Sequence, residues 1–337
     1  MAPASQLELR PSGVVRVRRR IDVTPAVGIS GEHIVAADIF LPPPGRCGSP
    51  AIVLCCLPGG ALSKAYYDLA VDVEPTFSCG SYLAGLGLIV VALDHLGVGE
   101  SSRPRDGFAL TPDLVARANA HAFTVLLDEL RSGAVYEALP ALPHIVRVGV
   151  GHSMGGLLTV VQQANYRSYD GLALLGFSNG FPGFLSEHEA RFNSDPVGTR
   201  ANIESLARQR FDEPYPVLTP NPVADMVYFG DCQDGCAIDA LKAAGTNLIA
   251  LPALTAMIAG SVGPEQQAID VPLFLGIADQ DICGPPHKVP AEFPSSPDVT
   301  LFVIPAAGHC HHIFPARIAL WERLAAWVRG VVAARLR

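Results

Sequence analysis

The feature that most constrains this chain is the octapeptide Gly149-Val150-Gly151-His152-Ser153-Met154-Gly155-Gly156. The residues leading into it, Ile145-Val146-Arg147-Val148-Gly149-Val150, predict a short buried strand, and Gly155 to Tyr166 predicts a helix. A strand that enters a helix through so tight a turn has no room for side chains where the two cross, which explains the flanking glycines. The turn lifts the Ser153 hydroxyl off the sheet edge, and the helix N-terminus aims free N–H groups at negative charge developing beside it. Ser153, within Gly151-x-Ser153-x-Gly155, is therefore a candidate nucleophile on a strand–turn–helix elbow. Glycine and serine are common, so the motif takes its weight from what accompanies it.

A serine hydroxyl needs a base, an orienting acid and an oxyanion hole. For the base, Gly308-His309 lies on the loop after the predicted strand Val299 to Ile304, with His311 and His312 as rivals. His309 is favoured because it directly follows the loop glycine. For the acid, Gly276-Ile277-Ala278-Asp279-Gln280-Asp281 follows the predicted strand Val271 to Ile277. Asp279 stands closer to the strand end and is placed first, with Asp281 as the alternative. For the oxyanion hole, the backbone N–H of Met154 is one donor by the elbow geometry. The second is assigned to Gly60, with Ala61 next, on the loop Pro58-Gly59-Gly60 that ends the strand Ala51 to Leu57.

The rest of the chain supplies a scaffold for such a site. Ala51 to Leu57, Gly87 to Leu93 and Gly171 to Phe177 are apolar runs of the kind buried on both faces of a sheet. Val14 to Arg20 and His33 to Leu41 predict two further strands, with Arg16 to Arg20 forming an exposed edge-strand face. Thr111 and Pro112 open a helix running to about Leu130, and a C-terminal amphipathic helix runs from about Pro315 to Arg335. Strands alternating with helices predict an α/β fold, with a mostly parallel central sheet and helices on both faces. From Phe181 to about Ala268 the alternation stops, around a patch of Pro214, Pro216, Pro220 and Pro222. The expected division is a core of residues 1–180 and 269–337 with a mainly helical insertion, 181–268, roofing the carboxyl ends of the strands. Phe181, Phe184, Leu218, Tyr228, Leu248 and Met257 are among its apolar residues; some are expected to face the pocket, as are Tyr66, Tyr67 and Phe77.

Composition sets outer limits. The 337 residues are 49% hydrophobic and 17% charged, which fits a core-rich globular chain. A net charge of −8 argues against a nucleic-acid partner. The first 20 residues lack an apolar stretch of the signal-peptide kind, and no run reaches membrane-spanning length, so the chain reads as cytoplasmic. Eight cysteines are too few for a disulfide scaffold at this size. Cys232 and Cys236 are near enough in sequence for a local bridge, but read as free thiols without the further ligands a zinc site needs. No metal or organic cofactor is implied.

The chain order Ser153, Asp279, His309, taken with Asp94-x-x-Gly97-x-Gly99-x-Ser101, resembles the α/β-hydrolase fold over roughly residues 33 to 335. The resemblance is to an esterase- or lipase-like serine hydrolase with a cap domain. It implies cleavage of a carboxylic ester or lactone, with an apolar or bulky substrate favoured by the insertion's composition. Family members with aspartate at the elbow carry out dehalogenation or epoxide opening, and Ser153 argues against both. Acyl transfer, carbon–carbon bond hydrolysis and a non-catalytic small-molecule receptor on the same fold stay open. A dinucleotide-binding reading of Gly149-x-Gly151-x-x-x-Gly155 is disfavoured, because Ser178-Asn179-Gly180 stands where its acid would fall. The sequence departs from the family at Pro58, where many relatives carry histidine, so hydrogen bonding within the oxyanion loop must differ. Oligomeric state is open.

Overall fold

Nine strands form one sheet in the computed structural model of the chain, which describes residues 7–10, 12–72, 76–181, 185–187, 189–218 and 222–335. Phe184 and Pro220, named above, lie outside the described residues. The strands are β1 (Leu7–Leu9), β2 (Val15–Asp22), β3 (Ile34–Leu41), β4 (Ala51–Leu57), β5 (Ile89–Leu93), β6 (Ile145–His152), β7 (Gly171–Leu175), β8 (Leu273–Ala278) and β9 (Val299–Ile304). They lie in the order β1-β2-β3-β5-β4-β6-β7-β8-β9. From β5 across to β9 every pairing is parallel, while β1, β2, β3 and β5 pair antiparallel. The fold is the expected α/β arrangement with a mostly parallel sheet.

The apolar runs fill the middle of the sheet. Every residue of β4, β5, β7 and β8 is buried. Side chains alternate between two cores, as a period of two requires. Val53, Cys55 and Leu57 face one, and Leu54 and Cys56 face the other. The principal helices are α1 (Thr24–Val27), α2 (Cys79–Gly85), α3 (Pro112–Ser132) and α4 (Met154–Tyr166). Helices α3 and α4 cover the first face, and α2, with a C-terminal helix, covers the second. The Thr111 hydroxyl caps α3 by accepting from Leu114 N, and Gly133 ends it at φ 75°.

The connection from β7 to β8 holds α5 (Pro196–Ala201), α6 (Ile203–Arg210), α7 (Pro222–Phe229), α8 (Gly235–Ala243), α9 (Ala250–Met257) and α10 (Gly263–Gln267). Ile203, Ala207, Leu251, Leu254 and Ile258 form a small core of their own with Phe108. The connection is stitched to loops at the carboxyl ends of β4 and β5. Ser63 N donates to Ala244 O at 2.9 Å, and Asn247 Nδ2 donates to Gly97 O at 2.9 Å. The chain closes with α11 (Arg317–Trp327), which passes into a wider helical turn at Val328–Val332.

One expectation, the edge position of β2, needs correction. Strand β2 is not an edge, because β1, too short to read from three residues, covers it. Two of its arginines are paired: Arg16 Nη2 lies 2.5 Å from Asp38 Oδ2, and Arg19 Nε lies 3.1 Å from Glu129 Oε2. All eight cysteines, Cys232 and Cys236 included, are free thiols. Among the described residues no helix is long and apolar enough to cross a membrane.

Candidate active site

The elbow serine sits where the sequence puts it, between β6 and α4, with φ 54° and ψ −122°. That is a positive-φ backbone conformation that costs a non-glycine residue energy and persists only where its surroundings hold it. The surroundings are tight. A Cβ on Gly155 would lie 2.2 Å from Leu57 O, and one on Gly151 would lie 2.4 Å from Gly155 O. Only glycine lets α4 start this close to β4, so the Met154 end of the helix faces the loop that leaves β4.

Ser153 Oγ lies 2.8 Å from His309 Nε2, and His309 Nδ1 lies 2.8 Å from Asp281 Oδ1. His309 reaches this point from the loop after β9, and Asp281 from the turn after β8. The first-placed acid, Asp279, is not brought to the histidine. Its N–H continues the sheet ladder to Ile304 O at 3.0 Å, which turns its side chain outward. There Oδ2 accepts from Ala306 N at 2.9 Å and Oδ1 from Ala307 N at 3.2 Å. Asp281 N bonds Ala278 O at 3.2 Å, so the chain reverses and carries the Asp281 carboxylate back under His309. The alternative acid is thus the one the fold delivers.

Burial pushes the Asp281 carboxyl up, but the charge of His309 and hydrogen bonds from His309 and His311 outweigh it. The carboxyl is held well below the usual range. His311 Nε2 meets Asp281 Oδ2 at 2.9 Å. His312 points elsewhere: its Nδ1 accepts from Trp321 Nε1 at 3.1 Å, and its ring stacks on Tyr66 at 4.5 Å. His152, inside the elbow motif, is buried and held neutral by that burial and by the neighbouring histidines. Its Nε2–H donates to His309 O at 2.9 Å and so fixes the His309 backbone.

The loop after β4 shows what replaces the family histidine at Pro58. Each carbonyl from Leu57 to Ala61 is held by a donor from a different place. Tyr67 Oη donates to Leu57 O at 2.9 Å, and His95 Nε2 to Pro58 O at 3.0 Å. Leu62 N donates to Gly59 O at 3.2 Å, Tyr228 Oη to Gly60 O at 2.9 Å, and Thr246 N to Ala61 O at 2.9 Å. Asn119 Nδ2 donates to His95 Nδ1 at 3.0 Å, which leaves the proton of His95 on Nε2. Asp94 accepts from Lys64 N at 2.7 Å and Glu100 N at 2.8 Å, a structural part outside the Ser–His–Asp set. Gly60, Met154, Ser153 and His309 line a common cavity of about 230 Å³.

The cavity wall is apolar. Phe181, Leu218, Tyr228, Leu248 and Met257 of the β7–β8 connection line it, with Ile282 beside the acid turn. Among the described residues it presents no Asp, Glu, Lys or Arg; its polar side chains are Ser153, His152, His309 and Tyr228. Tyr66, Tyr67 and Phe77, expected at the pocket, pack beneath it instead. Tyr66 lies 4.7 Å from the His152 ring, and Phe77 lies under the Arg317 guanidinium at 3.5 Å. The sequence reading missed His95, the loop contact of Tyr228 and the His311–Asp281 bond. Only His95 had a local signal, as the residue just past a buried strand beside β4.

A family model described as the alpha/beta hydrolase family matches residues 52–319. No curated protein matches the sequence. Solved structures resemble the fold. A thermophilic esterase from Thermogutta terrifontis is 17% identical with a TM-score of 0.57, over 93% of this chain and 99% of its own. The esterase RhEst1 from Rhodococcus sp. ECU1013 is 13% identical with a TM-score of 0.56, over 93% of this chain and 99% of its own. An M. tuberculosis esterase is 15% identical with a TM-score of 0.53, over 98% of this chain and 93% of its own. At these identities the likeness is one of fold.

Proposed function

The chain belongs to the alpha/beta hydrolase family, and from that premise we propose that it is a serine hydrolase cleaving a neutral, apolar carboxylic ester or lactone. One observation carries the reading: the 2.8 Å contacts that join Ser153 Oγ to His309 Nε2 and His309 Nδ1 to Asp281 Oδ1 at the mouth of an apolar cavity.

Ser153 attacks the substrate carbonyl while His309 Nε2 takes its proton. Asp281 keeps the other imidazole proton on Nδ1 and balances the imidazolium that forms. The N–H groups of Met154 and Gly60 receive the oxyanion, a contribution of roughly 3–4 kcal/mol per well-placed donor. His309 then protonates the leaving alcohol, and a water activated by the same nitrogen releases the acid from Ser153. No step calls for a metal or organic cofactor. The β7–β8 connection, residues 181–268, acts as a cap over the carboxyl ends of the strands. With no Asp, Glu, Lys or Arg among the described residues of the wall, a carboxylate or phosphate on the substrate would lose its hydration without compensation. That supports neutral esters over charged ones.

The test is hydrolysis of p-nitrophenyl esters from acetate to octanoate by wild type and Ser153→Ala, with circular dichroism on both. Turnover by wild type and none by the folded alanine variant is the expected result. Equal activity in both, or none in either, overturns the reading.

A further inference from the structure

The Asp281 carboxylate is shared between two imidazoles. Oδ1 meets His309 Nδ1 at 2.8 Å and Oδ2 meets His311 Nε2 at 2.9 Å, and the His311 and Asp281 side chains are fully buried. The backbone N–H of Ala278 also reaches Oδ2, but at 3.3 Å. An ionised carboxylate only accepts, so the His311 proton must sit on Nε2. Its Nδ1 is then buried with no hydrogen-bond partner among the described residues. That arrangement leaves one side of a buried imidazole unsatisfied, which costs stability. The compensating interaction is the bond to Asp281.

The geometry points to His311 as a positioning residue for the acid. Its Nε2–H fixes the rotation of the Asp281 carboxylate, so that Oδ1 stays on His309 Nδ1–H throughout turnover. It also shares the negative charge that Asp281 would otherwise present to His309 alone. The two histidines are two residues apart on one short turn, so base and clamp move together. The other titratable groups around them among the described residues are His152, with its ring 4.8 Å from His309 and 5.6 Å from His311, Tyr66 packed on both His152 and His312, His312 itself, and the thiols of Cys283 and Cys310. The Cys283 thiol also contacts Asp281, and its amide reaches Oδ1 at 3.3 Å, but His311 is the imidazole donor on Oδ2. The inference rests on the triad proposed above.

The experiment compares His311→Phe, His311→Asn and His311→Gln in the full chain, each in wild type and in Asp281→Asn. Phenylalanine fills the space without a donor. Asparagine is small enough to be accommodated where phenylalanine is not, and its amide ends near the present Nδ1, short of Asp281. Glutamine places an N–H near the present Nε2. The expected result is a loss in kcat of about 10-fold to 100-fold for Phe and Asn, with KM unchanged and most of the rate restored by Gln. In Asp281→Asn the same Phe and Asn changes should cost less than about 3-fold, because the path through the acid is already broken. Equal losses for Gln, Asn and Phe, or losses that simply add to Asp281→Asn, overturn the inference and leave His311 a packing residue. Ser153→Ala separates the two claims. If it is inert while His311→Phe matches wild type, only the clamp fails; if it retains activity, the triad itself fails.

Discussion

Replacing each of the two acid-turn aspartates with asparagine should produce opposite profiles. Asp281 accepts from His309 Nδ1 at 2.8 Å, His311 Nε2 at 2.9 Å, and the amides of Ala278 and Cys283 at 3.3 Å each. Asparagine offers one acceptor oxygen in place of two. Whichever way its amide turns, the NH₂ faces an imidazole N–H. Where it faces His309, that ring relieves the clash by moving its proton to Nε2, where it can no longer accept from Ser153. Loss of the correct tautomer in a serine triad costs about 10⁴ in kcat, or about 5.5 kcal/mol. Asp279→Asn loses at most one of two backbone bonds, those from Ala306 N at 2.9 Å and Ala307 N at 3.2 Å, at an exposed position. That is worth about 1 kcal/mol of stability and a fall in Tm of about 2 °C in a chain of this size. Its kcat should stay within about 3-fold of wild type. Initial rates on p-nitrophenyl butyrate and thermal melts read both quantities. The reasoning is refuted if Asp279→Asn takes the larger loss in kcat, or if neither substitution costs 100-fold.

Four other outcomes follow from the same geometry. Tyr228→Phe keeps the cavity wall but frees Gly60 O, and should lower kcat about 3-fold to 10-fold without changing the ester chain-length profile; a shifted profile would mean that Tyr228 acts as a pocket wall. Gly155→Ala sets a Cβ 2.2 Å from a backbone oxygen and should abolish soluble expression or cost more than about 4 kcal/mol in a denaturant melt. Burial lowers the His95 pKa from 6.5 to about 4, so its contribution is intact above pH 6.5 and is lost as pH falls toward 4. The loss amounts to about 3 kcal/mol, and denaturant melts should show wild type losing more stability over that window than His95→Gln. An ester with a terminal carboxylate on its acyl chain should show kcat/KM at least about 100-fold below its uncharged counterpart, by desolvation in a wall that offers no charged partner among the described residues.

The fold was largely legible because a parallel sheet covered on both faces demands unbroken apolar runs. Ala51–Leu57 and Val299–Ile304 were read to the residue. Strand β1 was not legible, since three exposed residues carry no periodic signal. Within the site, Ser153 and His309 were marked by tight glycine contexts at strand ends. Distance from the strand end was the wrong guide to which carboxylate meets His309. A residue still in ladder register, as Asp279 is, points its side chain away, and the chain must reverse before a carboxylate can reach across to β9. The carbonyl tethers of the oxyanion loop were invisible for another reason: Tyr228 lies 168 residues from the glycine whose oxygen it holds, and no local pattern encodes that separation.

Those tethers tie the loop's geometry to the seating of the proposed cap, since Tyr228 and Thr246 hold two of its carbonyls from within residues 181–268. Thermodynamic reciprocity then runs in both directions. Whatever free energy the seated cap lends to a correctly shaped oxyanion hole, an occupied hole must return to the cap. A tight tetrahedral adduct on Ser153 would therefore slow amide exchange in α7 and α8, helices that an uncovered elbow would leave freer to open.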